Sequence, residues 1–225
     1  ISNNNSGPFA TYSNDSSILV ISGFNATTNN MAFYSVNYAG TSTVYTRGTG
    51  TQFSSYPIAT TFNSAFSPDG TLLAVATASA TSPIALYNVS YAGTLTTFTS
   101  TGTFIGSSGS GNYYVTWSPD GKWLAAMSQS NNTRDALIYS RSGTTFTLKS
   151  PNTTNPSEIA WRGQFSNDSA TFYIFDETNG QTSSSWPGIS ALKYSSQTNT
   201  WTYSVSNATI EHPFITAKIN WRVDI

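Results

Sequence analysis

The chain contains no cysteine, one histidine and only 19 charged residues among 225, nine Lys or Arg and ten Asp or Glu. Without cysteine there is no disulfide and no thiolate metal site, and the redox compartment leaves no mark on the sequence. A net charge of -1 is too small to steer nucleic acid, an anionic membrane or a charged substrate, so no nucleic-acid partner is expected. No apolar run approaches the roughly 18 residues that a membrane-crossing helix needs, so no membrane span is expected. The lone histidine, His212, stands between Glu211 and Pro213. A metal centre needs several such ligands converging, and neither metal nor cofactor is expected.

What the chain has in quantity is Ser, Thr and Asn, 90 residues in all, and one motif in four copies. Two copies are complete: Ser67-Pro68-Asp69-Gly70 before the apolar run Leu72-Leu73-Ala74-Val75-Ala76, and Ser118-Pro119-Asp120-Gly121 before Trp123-Leu124-Ala125-Ala126-Met127. Two keep the frame without proline or glycine: Ser13-Asn14-Asp15-Ser16 before Ile18-Leu19-Val20-Ile21, and Ser166-Asn167-Asp168-Ser169 before Phe172-Tyr173-Ile174-Phe175. Each reads as a tight turn between two strands. Proline presets φ at the first central position, aspartate bonds its own backbone two residues on, and glycine accepts a left-handed conformation.

The four serines are 54, 51 and 48 residues apart, which is a repeat period. A second phrase recurs after each turn, at Met31-Ala32-Phe33-Tyr34, Ile84-Ala85-Leu86-Tyr87, Ala136-Leu137-Ile138-Tyr139 and Ala191-Leu192-Lys193-Tyr194. A third follows at Gly40-Thr41, Gly93-Thr94, Gly143-Thr144 and Asn199-Thr200. One unit is then four strands joined by short turns, and about 40 to 50 residues per unit matches a propeller blade. The expected fold is an all-β propeller of four-stranded antiparallel blades. The blades fall at about 9–50, 58–103, 113–150 and 159–206, after a lead-in at 1–8. Residues 215–225 read as an orphan strand of a fifth blade, with Trp221 and Asp224 aligned to the motif, so the chain is expected either to continue or to complete a sheet elsewhere.

On these motifs the chain resembles the WD40-like propellers that carry the Ser-Pro-Asp-Gly turn, known from Tol-type periplasmic propellers and from repeats encoded by bacteriophages. The stretch Ala136-Leu137-Ile138-Tyr139-Ser140-Arg141-Ser142-Gly143-Thr144 is most similar to the phage version. The resemblance implies the fold and leaves function open, because the shared residues build turns.

Candidate chemistry is sparse. Five of the seven aspartates occupy turn positions: Asp15, Asp69, Asp120, Asp168 and Asp224. Asp176 and Glu177 are adjacent, and neighbouring strand residues point to opposite faces, which does not suit a glycosidase pair. Five arginines, Arg47, Arg134, Arg141, Arg162 and Arg222, offer no evident carboxylate clamp. Trp186, in an insertion spanning 179–188, is a candidate contact for a sugar or a protein. Acceptor sequons stand at Asn4, Asn25, Asn88, Asn131, Asn152 and Asn207, besides Asn14 and Asn167 within turns.

The expectation is therefore a noncatalytic protein. A neutral surface rich in hydroxyls and amides suggests a structural or host-contacting component of a tailed-phage virion surface, whose partners are other subunits and a host protein or glycan. The alternatives are a glycosylated, strand-exchanged subunit of an extracellular or cell-surface filament, and a stand-alone glycan-binding propeller.

Overall fold

Four successive meanders of strand account for the computed structural model, which describes residues 9–22, 31–39, 42–48, 61–77, 84–92, 95–105, 112–130, 133–149, 159–177 and 189–205. Blade 1 comprises β1 (Phe9–Tyr12), β2 (Ile18–Ser22), β3 (Met31–Ala39) and β4 (Ser42–Arg47). Blade 2 comprises β5 (Thr61–Phe66), β6 (Leu72–Thr77), β7 (Ile84–Ala92) and β8 (Leu95–Ile105). Blade 3 runs through β9 (Asn112–Trp117), β10 (Trp123–Ser130), β11 (Thr133–Ser142) and β12 (Thr145–Leu148). Blade 4 runs through β13 (Ile159–Phe165), β14 (Thr171–Glu177), β15 (Ile189–Ser195) and β16 (Thr200–Val205). Within each blade every strand pairs antiparallel with the next. The first strands of successive blades lie side by side, β1 by β5, β5 by β9 and β9 by β13, and so form the inner edge of the array. The fourth strands are the outer edge, and β4 is exposed along its whole length. This is a β-propeller of four-stranded antiparallel blades. The lead-in, the orphan strand, His212 and the 179–188 insertion lie outside the described residues.

Strand alternation sends neighbouring residues to opposite faces, and that property builds the core as seams between blades. β6 is buried at every position. Leu73 and Val75 meet Ile18, Val20, Met31 and Phe33 of blade 1. Leu72, Ala74 and Ala76 meet Val115, Trp117 and Leu124 of blade 3. On the far side of blade 3, Trp123, Ala125 and Met127 meet Phe165, Phe172 and Trp201 of blade 4. Alanines at alternate positions let these sheets approach. Each fully buried Leu or Phe contributes about 1.5–3 kcal/mol relative to exposure, so the blades hold one another rather than folding around separate cores.

The repeated turn is a side-chain latch. Ser67 Oγ accepts a bond from the Leu72 amide at 2.9 Å and donates to Asp69 Oδ1 at 2.5 Å. Asp69 in turn accepts from the Thr71 amide at 3.1 Å. The same serine-to-aspartate bond measures 2.6 Å at Ser13–Asp15, 2.6 Å at Ser118–Asp120 and 2.5 Å at Ser166–Asp168. Gly70 and Gly121 adopt φ of 69° and 70°, as the turn requires, and Ser16 and Ser169 adopt 60° at the same place. Glycine carries that conformation without steric cost, whereas serine is strained there.

The latches predict acid sensitivity. Burial opposes ionisation of Asp69, but the Ser67 hydroxyl, the Thr71 amide and hydroxyl, and the Arg141 charge outweigh it and hold the carboxyl at about 2. Asp15 and Asp168 are lowered chiefly by their serine hydroxyls; in Asp120 the Ser118 and Lys122 contacts overcome burial. A carboxyl depressed in the folded state stabilises it fully above the unfolded value, about 3.9, and that stability is lost as pH falls toward the folded value. The melting temperature should hold near neutrality and drop as pH falls from about 4 to 2. Circular-dichroism melts of wild type and Asp69→Asn across that interval test this: the variant should lose less, and equal losses would exonerate the latch.

Candidate functional site

Because the latch serines are equivalent, residues at a fixed distance before them occupy one level of the four inner strands. Four residues before each serine stand Phe9, Asn63, Tyr114 and Arg162. They form an axial layer on β1, β5, β9 and β13, and no two share the same chemistry.

Asn63 is buried and its Oδ1 accepts the Val115 amide at 2.8 Å, tying β5 to β9. Tyr114 is half-buried against the seam between blades 3 and 4. Burial pushes its phenol above the ordinary tyrosine range, against the nearby Arg162 charge and the Thr116 hydroxyl, so the group stays protonated at neutral pH. Arg162 is exposed, and its guanidinium carbon lies 5.1 Å from the centre of the Phe9 ring in blade 1. Two residues further along each strand, on the same side, are Thr11, Ala65, Thr116 and Gln164. The layer thus offers a guanidinium, a neutral phenol, hydroxyls and an aromatic face, a set suited to a polyhydroxylated or anionic small molecule.

The turn residues named from the sequence are placed otherwise. Ser13, Asp15, Ser67, Asp69, Ser118, Asp120, Ser166 and Asp168 are engaged in their latches, and the turns of neighbouring blades are strapped together. Arg141 of blade 3 reaches blade 2, with Nη1 3.0 Å from Asp69 Oδ2 and Nη2 donating to Thr71 Oγ1 at 2.9 Å. Its Nε donates to the Gly143 carbonyl at 2.9 Å, and the guanidinium stacks 5.3 Å over Trp117. Between blades 3 and 4, the Asp120 amide donates to Ser169 Oγ at 3.2 Å. A Cβ at Gly121 would lie 3.6 Å from Pro68 Cδ, so these two turns abut. Pro119 is exposed. Asn88 is exposed on β7. Trp186, Asn4, Asn25, Asn131, Asn152 and Asn207 lie outside the described residues. Among the described residues no group of three or more His, Cys, Asp or Glu could hold a metal.

Reading the sequence for motifs missed the axial layer, because the eye follows what repeats. The signal was present in the opposite property: a fixed offset from the latch at which four repeats carry four different chemistries.

No family model matches the sequence, and no curated protein matches it. Solved structures do match. A candidate 6-phosphogluconolactonase of Bacteroides fragilis is 14% identical at a TM-score of 0.64, over 91% of this chain and 56% of that one. Its counterpart from Bacteroides uniformis is 15% identical at 0.61, over 90% and 55%. The periplasmic gluconolactonase of Pseudomonas aeruginosa is 11% identical at 0.62, over 90% and 56%. At these identities the likeness establishes the fold, and the chain spans about half the length of the structures it matches.

These comparisons overturn the expectation of a noncatalytic virion component, and with it the filament and glycan-binding alternatives. Three of the matched propellers carry lactonase names, so a short inventory of histidines and carboxylates was no ground for excluding an enzyme. The physical reason is placement: a propeller draws its site from scattered inner-strand positions, and counting residue types along the chain does not register them.

Proposed function

We propose that this propeller hydrolyses a sugar-acid lactone bound on its axial layer. The observation that carries the reading is the placing of exposed Arg162 and neutral Tyr114 at one level of adjacent inner strands. In lactone hydrolysis water adds to the ring carbonyl, the ring C–O bond breaks, and the departing oxygen takes a proton to give the open hydroxy acid. The intermediate is an oxyanion, which a guanidinium and a protonated phenol stabilise as donors. Phe9 supports the reading by offering a ring face for the apolar side of a sugar. The lactonase names of structures with this fold point the same way. The repeats themselves are assigned to the WD40-like class with the Ser-Pro-Asp-Gly turn, on the strength of the shared latch.

Acid release from gluconolactone, with and without a 6-phosphate, tests the proposal. The purified chain should exceed the buffer rate, and Arg162→Ala should lower kcat/KM by about 100-fold, in the range seen for loss of an oxyanion donor. Arg162→Lys should recover part of it. A wild-type rate equal to buffer on both substrates would end the proposal.

A further inference from the structure

Three inner strands slip register at the same place, beside the axial layer. β5 sets two residues, Phe62 and Asn63, against one on β6 between the pairs Thr61↔Thr77 and Ser64↔Val75. β9 has Tyr113 in excess between Asn112↔Ser128 and Tyr114↔Met127, and β13 has Trp161 in excess between Ala160↔Asp176 and Arg162↔Phe175. Phe62, Tyr113 and Trp161 each stand five residues before a latch serine and directly before a member of the axial layer. A one-residue bulge bends its strand and re-aims the side chains next to it. Asn63, Tyr114 and Arg162 therefore sit where the ladder is broken in the same way three times.

Asn63 is 8% exposed, and its Oδ1 is committed to the Val115 amide at 2.8 Å. A backbone N–H can only donate, which fixes the carboxamide oxygen on that side and the nitrogen on the other. That nitrogen carries two protons, and among the described residues no acceptor takes either. It is not sealed into the core, since Trp201 Nε1 is the one buried side-chain nitrogen or oxygen without a partner among the described residues. Its neighbours in the layer donate as well. Arg162 has no acceptor, and among the described residues no carboxylate pairs with it. The Thr116 hydroxyl lies against the Tyr114 phenol, and by donating to it leaves the phenolic proton free.

We infer that Asn63, Tyr114 and Arg162 form a carboxylate-binding site for a small polyhydroxy acid, with Asn63 as its orienting donor. Three donors at one level, with no carboxylate among them, suit an anion that offers several lone pairs. Two residues further along the strands, Thr11, Thr116 and Gln164 both donate and accept, which suits hydroxyls. A sugar acid presents the two chemistries in that order. The ligand class rests on the lactonase reading, because the open hydroxy acid is what lactone hydrolysis releases; the donor layer does not.

Calorimetric titration of the purified full chain with sodium gluconate tests it, against glucitol, the polyol of the same length without the carboxylate. Gluconate should bind, and glucitol should not do so measurably. Asn63→Asp keeps an oxygen for the Val115 amide and sets a second oxygen where the nitrogen stood. It should keep the wild-type circular dichroism and weaken gluconate by about 10- to 100-fold, as for a lost hydrogen bond to a charged group. In proton–nitrogen correlation spectra of the wild type, the Asn63 side-chain amide should shift with gluconate and stay put with glucitol, a readout that does not need the variant to fold. No gluconate binding, equal binding of the two probes, or an unmoved Asn63 amide overturns the inference. So does a folded Asn63→Asp that binds gluconate like the wild type. A chain that binds gluconate yet opens no lactone ends the hydrolysis reading and leaves this site standing; one that opens lactone while gluconate neither binds nor shifts Asn63 does the reverse.

Discussion

Gly163→Ala is expected to cost about 3 kcal/mol of stability, the upper part of the range for overpacking a filled core. Gly163 lies on β13 between Arg162 and Gln164 and faces blade 3. A Cβ placed there would collide with Phe172 Cζ and would lie 2.7 Å from the Tyr173 carbonyl oxygen and 2.8 Å from Met127 Cε. The carbonyl belongs to the paired strand β14 and cannot step aside without breaking its ladder. The need for glycine is one of space, not of backbone conformation. The equivalent positions in the other blades are Ala10, Ser64 and Val115, and the residues that pair across from the turn there are Leu19, Leu73 and Leu124. Blade 4 has Phe172 instead. The larger ring occupies the volume that the missing side chain vacates, so the two positions are coupled. Urea denaturation of Gly163→Ala, Phe172→Leu and the double variant would measure this, and the double variant should recover much of the loss. Additive losses would show that the pair does not share the space.

Trp117→Ala is expected to cost about 3–5 kcal/mol, as for other buried tryptophans. Its ring is part of the seam between blades 2 and 3, 5.9 Å from Phe146. The indole Nε1 donates to the Ala65 carbonyl of blade 2 at 3.1 Å. Arg141, which straps blade 3 to the blade 2 latch, stacks on the same indole and would lose its platform. Trp117→Phe keeps an aromatic in the seam and removes the bond, so a loss of only about 1 kcal/mol beyond the change in packing is expected from the missing donor. Chemical denaturation separates the two variants. Equal losses would mean that the bond and not the packing dominates.

Much of the architecture was legible because its causes are local. The Ser-Pro-Asp-Gly turn contains its own latch within a few residues, and the apolar run after it has nowhere to go except between two sheets. Ser16 and Ser169 were harder, since nothing in a serine announces a left-handed φ. For Ser169 the tertiary structure supplies a compensation, the bond that its Oγ accepts from the Asp120 amide of the neighbouring blade. The faces of β6 were likewise readable only in part. An uninterrupted apolar strand predicts cover on both sides, but which alanine meets which blade depends on register across strands.

The candidate site divides in the same way. The turn aspartates announced themselves by repetition and prove to be committed to latches, whereas Arg162, Tyr114 and Phe9 carry no motif. Tyr114 lies 105 residues after Phe9 and Arg162 lies 48 after Tyr114, and they share a layer only because the latches align the inner strands. Thus the amino-acid order alone determined the repeat, the turns and the four-stranded blade, through interactions within each unit. The axial layer and the straps at Arg141 were decided by the tertiary structure, because each depends on how one blade is set against the next.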